Sequence, residues 1–239
     1  MPPNAPPAGP GRFPTTRWTL ILSAQAGDGA RHTALETLCA AYWKPVYLYM
    51  RRKGLDVDAA QDAVQGLFTE LIERNFIERL DPAKGRLRGY LRGAADHYLS
   101  HQRAAQGAEK RGGRTRIVPI DTEGVEPLLV ATSEDPLATF EREWALAVMS
   151  RALERLRAEY ADGRRRGNAD VVFRFFGAGP APSYAEAAAE AQVSVAQFRA
   201  TLHRARTRFR EILREEVADT VDDGGADAEL SELLRVLST

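Results

Sequence analysis

Two helix-start signals in close succession constrain this chain more than any other feature. Ser183-Tyr184-Ala185-Glu186 and Ser194-Val195-Ala196-Gln197 each have the form of a capping box. In such a box the serine hydroxyl accepts a bond from the backbone N–H three residues on, and the Glu or Gln side chain reaches back to the serine N–H. Between the two boxes, Tyr184, Ala187, Ala188 and Ala191 are spaced as one face of a short helix. After the second, Val195, Phe198, Leu202, Ala205, Phe209 and Ile212 recur at steps of three and four, which predicts a longer helix with an apolar stripe. A short helix, a tight turn and a longer helix make a helix-turn-helix.

Projected at about 100° per residue, the face of the longer helix opposite the stripe carries Ala196, Arg199, Ala200, His203, Arg204 and Thr207, with Gln197 at its flank. These residues fill the first turns, where recognition helices meet base edges in the major groove. Arg and Gln suit bidentate reading of guanine and adenine. Arg206, Arg208 and Arg210 lie further along, in positions suited to phosphates, which place a protein without specifying sequence. The competing reading is a helical hairpin whose basic face simply meets water.

The rest of the chain also reads as helix, because apolar residues recur at three-to-four spacing and sustained alternation is missing. Helices are expected near 16–26, 32–53, 57–76, 86–108, 135–161, 170–176, 184–191, 195–216 and 227–237. Residues 1–12, rich in proline, read as a disordered arm. The expected architecture is all-α: one small helical domain over 13–112, an acidic flexible linker over 113–133, a helix-turn-helix domain over 134–216, and an acidic tail with a short helix over 217–239. Gly112-Gly113, Pro119 and Pro127 mark the linker.

Formal net charge is zero, yet the charges are segregated. Residues 84–116 hold nine Lys/Arg against two acids, and 194–214 hold six Arg against Glu211. Residues 117–143 hold seven acids against Arg142, and 215–239 hold eight against Arg235. Two basic blocks separated and followed by acidic ones suggest two anion-binding surfaces. The tail, so acidic beside a basic helix, is a candidate to gate it. The lone Cys39 excludes an internal disulfide framework. No apolar run reaches the roughly 18 residues of a membrane span, and no secretory signal opens the chain, so a cytoplasmic protein is expected.

On the helix expected at 57–76, Val57, Ala60, Val64, Leu67 and Leu71 form the inner face, and Asp58, Asp62, Gln65 and Thr69 the outer. That acidic-polar face either docks on a protein or faces water. The next helix interleaves cations and aromatics: Tyr90, Arg92, His97, Tyr98, His101 and Arg103. Such residues suit stacking of unpaired bases, each worth about 1–3 kcal/mol. Equally, Tyr90 and Tyr98 share a face with Leu87, Leu91 and Ala94 and fit a core. His97 and His101, four apart, have the spacing of a metal clamp but lack a third ligand. With four histidines, one cysteine and no glycine-rich phosphate loop, an enzyme has little support, and no cofactor or metal is expected.

Together these segments resemble the sigma factors of the extracytoplasmic-function type, specificity subunits of bacterial RNA polymerase. The resemblance runs from about Phe13 onward and rests on SVAQFRATLHRAR at 194–206, DAAQDAVQGLF at 58–68 and GYLRGAADHYL at 89–99. FPTTRWTLILSA, the KRGG at 110–113 and EEVADT with a short terminal helix look like a subgroup found in planctomycete-like bacteria. The resemblance implies a transcription initiation factor with core RNA polymerase and promoter DNA as partners; restraint by an anti-sigma protein, by a kinase or by its own tail is compatible with the sequence. Asp58, Asp62, Gln65, Phe68 and Thr69 would then meet the polymerase clamp. Tyr90, Arg92, His97, Tyr98, His101 and Arg103 would take the melted minus-ten element. Gln197, Arg199, Ala200, His203, Arg204, Arg206 and Thr207 would read the minus-thirty-five element. The chain departs from the family at Tyr90, where Trp is common, and at His97 and His101, where Asn and Asp are common. A stand-alone helix-turn-helix regulator is the alternative.

Overall fold

A computed structural model describes residues 28–73, 86–106, 135–161, 169–177, 179–218, 220–221 and 225–238. They form eight α-helices and no strand: α1 (Asp28–Arg52), α2 (Val57–Glu73), α3 (Leu87–Gln106), α4 (Pro136–Ala161), α5 (Ala169–Phe173), α6 (Tyr184–Glu190), α7 (Val195–Ala218) and α8 (Ala226–Leu237). A 3-10 turn, Arg174–Phe176, continues α5. The expected arm, the helix at 16–26 and the linker at 113–133 lie outside the described residues.

Helix starts and stops follow local chemistry. Asp56 caps α2 by accepting the Ala59 N–H at 2.8 Å. α1 ends on Gly54, whose φ of 96° is the left-handed value favoured by glycine. The Leu55 N–H then donates to the Met50 carbonyl at 3.3 Å and the Gly54 N–H to the Arg51 carbonyl at 3.0 Å, a Schellman closure. α6 closes in the same way, with the Val193 N–H on the Ala188 carbonyl at 3.0 Å and the Gln192 N–H on the Ala189 carbonyl at 3.1 Å. There the left-handed residue is Gln192, at φ 54°. α1 passes through Pro45, which lacks the N–H that would answer the Ala41 carbonyl.

One contiguous apolar core runs from Tyr42 to Leu233. α1 packs on α2 through Val46, Met50, Ala60, Val64 and Leu67, and also along α4, where Tyr42 stacks flat on Trp144 with centroids 3.9 Å apart. Phe140 and Tyr49 extend this aromatic seam. The opposite end of α4 meets α5 and α7 through Leu156 and Tyr160, the latter edge-on to Phe173. α4 therefore joins the segments before and after residues 113–133.

α2 and α3 approach closely where Gly66 faces Tyr98: a Cβ on Gly66 would lie 1.9 Å from the tyrosine hydroxyl. Gly66→Ala is expected to cost about 1–3 kcal/mol by overpacking, with part of the loss recovered in Gly66→Ala/Tyr98→Phe. Gln192→Gly removes a left-handed penalty of about 1–2 kcal/mol against about 0.5–1 kcal/mol of glycine entropy. A rise in unfolding free energy of up to about 1.5 kcal/mol is expected, and urea denaturation measures all three variants.

Candidate nucleic-acid interface

Both capping boxes form. The Glu186 N–H donates to Ser183 Oγ at 3.2 Å, and Glu186 Oε2 accepts the Ser183 N–H at 2.8 Å. The Gln197 N–H donates to Ser194 Oγ at 3.2 Å, and Gln197 Oε1 accepts the Ser194 N–H at 3.0 Å. Gln197 thus spends its side-chain oxygen on the helix start and retains its amide N–H donors. Phe198, Leu202, Ala205 and Ile212 are buried and Phe209 half-buried, so the predicted stripe faces the core. Val195, expected in that stripe, is exposed at the first residue of α7. Tyr184 is also exposed, stacked on Phe175 at 5.6 Å.

Ala196, Gln197, Arg199, Ala200, His203, Arg204, Arg206 and Thr207 are all exposed and adjoin along α7. The Arg199 guanidinium lies 5.2 Å from the Tyr184 ring centroid, which holds it at the mouth of the turn. Arg204 donates to Thr201 Oγ1 at 3.2 Å. Arg208, expected to hold a phosphate, does not share this face. It donates to both Glu159 oxygens at 2.7 and 2.9 Å and lies within 3.4 Å of Glu211 and Glu215. It ties α7 to α4 instead of facing outward. Arg151 and Arg155 do the same from α4, reaching Glu216 at 3.2 and 2.8 Å.

On α3 the cations and aromatics divide. His97, His101 and Arg103 are exposed, with the two imidazoles 4.3 Å apart. Tyr98 is half-buried against Gly66 and takes a hydrogen bond from Gln102 at 2.9 Å, and burial raises its hydroxyl pKa. Tyr90 is half-buried against the core, and Arg92 lies 4.0 Å from Glu141. The core reading of the tyrosines therefore holds in part: both pack against the core, half-buried. Among the described residues no group of three or more His, Cys, Asp or Glu is placed to hold a metal ion.

On α2, Asp58 and Asp62 are exposed, and Gln65 and Thr69 half-exposed, as one face. Phe68 is buried in the core, so it supports that face from beneath without being part of it. The sequence reading missed Arg86 and Arg88 at the start of α3. Arg88 is 5 % exposed and sets two nitrogens against the oxygens of Glu229 at 2.8 and 3.0 Å. Residues 141 apart along the chain offer no local pattern by which to pair them. Glu229 and Glu232 of α8 in the acidic tail pair with Arg88 of α3, while α8 itself packs along α4 and α7 and its Asp227 pairs with Arg214 of α7 at 2.6 and 2.9 Å. Arg199 and Arg204 are exposed, and among the described residues none of the tail's carboxylates pairs with them.

Among the described residues no helix is long and apolar enough to cross a membrane. Comparison with protein-family models, with curated proteins and with solved structures finds no match to this chain.

The hydrogen bond from Arg208 holds the Glu159 carboxyl below its ordinary value of 4.5, against the opposing effect of burial. A depressed carboxylate contributes stability that is present above its unfolded pKa and lost as pH falls through its folded one. Urea midpoints are therefore expected to fall as pH drops below about 4.5, and Glu159→Gln should flatten part of that dependence.

Proposed function

We propose that this chain is a bacterial transcription initiation factor of the extracytoplasmic-function sigma type, binding core RNA polymerase and directing it to promoters. The observation that carries the reading is the continuous exposed face of α7, from Gln197 through Arg199, His203 and Arg204 to Arg206, set on a double-capped helix pair. That face reads the upstream promoter element as a helix-turn-helix in the major groove, its arginines paired to guanine edges. Its support is geometric: the arginine that faces inward, Arg208, is the one already satisfied by carboxylates, whereas those facing outward are not packed against the core.

The exposed edges of α3, with His97, His101 and Arg103, take unpaired bases and backbone of the melted element, and Tyr90 and Tyr98 offer ring edges from a fixed position. The acidic-polar face of α2, through Asp58, Asp62, Gln65 and Thr69, docks on the polymerase, with Phe68 holding it rigid from below. The mechanism is selective binding rather than bond chemistry, in the cytoplasm, with no cofactor. Joining both DNA contacts through one polymerase raises their effective concentration, so neither needs high affinity alone.

Purified chain mixed with bacterial core RNA polymerase should co-elute as a one-to-one complex. A folded, helical chain that does not join the polymerase but binds duplex DNA would instead be a stand-alone regulator. Arg199→Ala or Arg204→Ala should each relax upstream-element choice by about 1–3 kcal/mol and leave polymerase binding unchanged. Asp62→Ala with Gln65→Ala should do the reverse. Equal loss of polymerase binding in both sets would overturn this division.

A further inference from the structure

At the start of α3, two arginines meet three carboxylates drawn from α4 and α8. Arg88 faces Glu229 through two nitrogens, approaches Glu232 at 3.0 Å and contacts Glu141 of α4. Arg86 lies 2.7 Å from Glu229 and donates to Glu232. The first amide of α3, that of Leu87, donates to the Thr220 carbonyl at 3.1 Å, so the backbone entering the tail closes over the helix start. α8 is pinned on its other sides by Leu233, buried in the core, and by the Asp227–Arg214 pair.

Two arginines and a helix N-terminus converge here on oxyanions, and a guanidinium fork fits phosphate as well as carboxylate. We propose that Arg86 and Arg88 form a binding site for nucleic-acid backbone phosphates, and that the carboxylates of α8 occupy it as a displaceable clasp. The inference rests on the nucleic-acid reading of α3 and adds to it two residues and a mode of restraint. Arg86, immediately before α3, and Arg88 in its first turn precede Tyr90, Arg92 and His97, so strand tracking along α3 meets them first. The occupant is in the same chain, and its acidity complements the site. Glu229 is fully buried, and desolvation raises its carboxyl pKa despite the two arginines, so this oxyanion is poorly solvated in the closed state. A phosphate entering from solvent returns Glu229 and Glu232 to water and keeps both arginines paired. Arg88 retains Glu141 in either state, whereas Arg86 exchanges Glu229 and Glu232 for phosphate.

The test uses the full chain and a fluorescently labelled single-stranded oligonucleotide, with affinity read by anisotropy across a salt titration. Leu233→Ala loosens α8 without altering charge, and Glu232→Gln weakens the clasp without touching the core. Both are checked by circular dichroism for retained helicity. Each should bind about tenfold more tightly than the unaltered chain, as expected if the open state rises from about a hundredth to about a tenth of the population. The slope of log affinity against log salt should steepen by about 0.7–1.4, one or two further phosphate contacts on a single strand. Adding Arg86→Gln to Leu233→Ala should return affinity and slope toward the starting values. Unchanged affinity and slope in both helical variants, or a gain that survives Arg86→Gln, would overturn the clasp and leave the wider reading intact. Absence of salt-dependent binding by every variant would overturn the nucleic-acid reading itself, and the clasp with it.

Discussion

The flat stack of Tyr42 on Trp144 is the contact on which the arrangement of the other helices depends. Both rings are fully buried, and Arg151 closes the far side of Tyr42, its guanidinium 4.9 Å from the ring centroid and its Nη2 donating to the hydroxyl at 3.2 Å. Aromatic pairs of this size contribute area burial plus about 0.5–1.5 kcal/mol from their geometry. Arg151 also reaches Glu216, so one side chain links α1, α4 and α7. Nearby, Lys44 answers the buried Glu143 at 3.1 Å. Fixing α4 against α1 in this way sets where its other end presents Glu159 to Arg208, and hence how α7 is turned relative to the rest. The outward placement of Arg199 and Arg204 follows from an aromatic seam three helical turns or more away along α4.

How much of this is legible in the sequence depends on the range of the interaction. Elements governed by neighbours within one or two turns are readable: the capping boxes at Ser183 and Ser194, the stripe of Phe198, Leu202, Ala205 and Ile212, and the spans of α2, α4 and α7 to within a few residues. The left-handed Gln192 escaped notice because Schellman closures are announced by glycine, as at Gly54, and this one is not. Long-range pairings carried no signal. Arg208 and Arg204 are indistinguishable by type and differ by only four positions, a little over one turn, yet one is bonded to α4 and the other is exposed. Likewise Phe68 sits in a motif whose neighbours face solvent, but its own side chain turns inward. Charge segregation indicated that basic and acidic blocks would matter to one another; it did not say that the tail would choose Arg86 and Arg88 over the basic face of α7.

The two kinds of junction in the molecule differ in how they can be undone. The seam between α1 and α4 is apolar, and separating it exposes ring surface to water with nothing to replace it, at about 25 cal/mol for each Å². The junction between α3 and α8 is ionic at its centre. Breaking a buried ion pair by withdrawing one partner is strongly unfavourable, since the other charge is stranded, but exchanging one oxyanion for another leaves no charge unmatched. Its resistance to opening therefore depends on what else is present: high against simple dissociation, low against a competing anion of similar geometry. An apolar latch has no comparable selectivity, because no solute in water mimics a leucine face as closely as a phosphate mimics a carboxylate. A chain that must stay folded while one helix is released gains from building the permanent joint from aromatics and the removable one from salt bridges, and the distribution of Tyr42, Trp144 and Phe140 against Arg86, Arg88, Glu229 and Glu232 has that form.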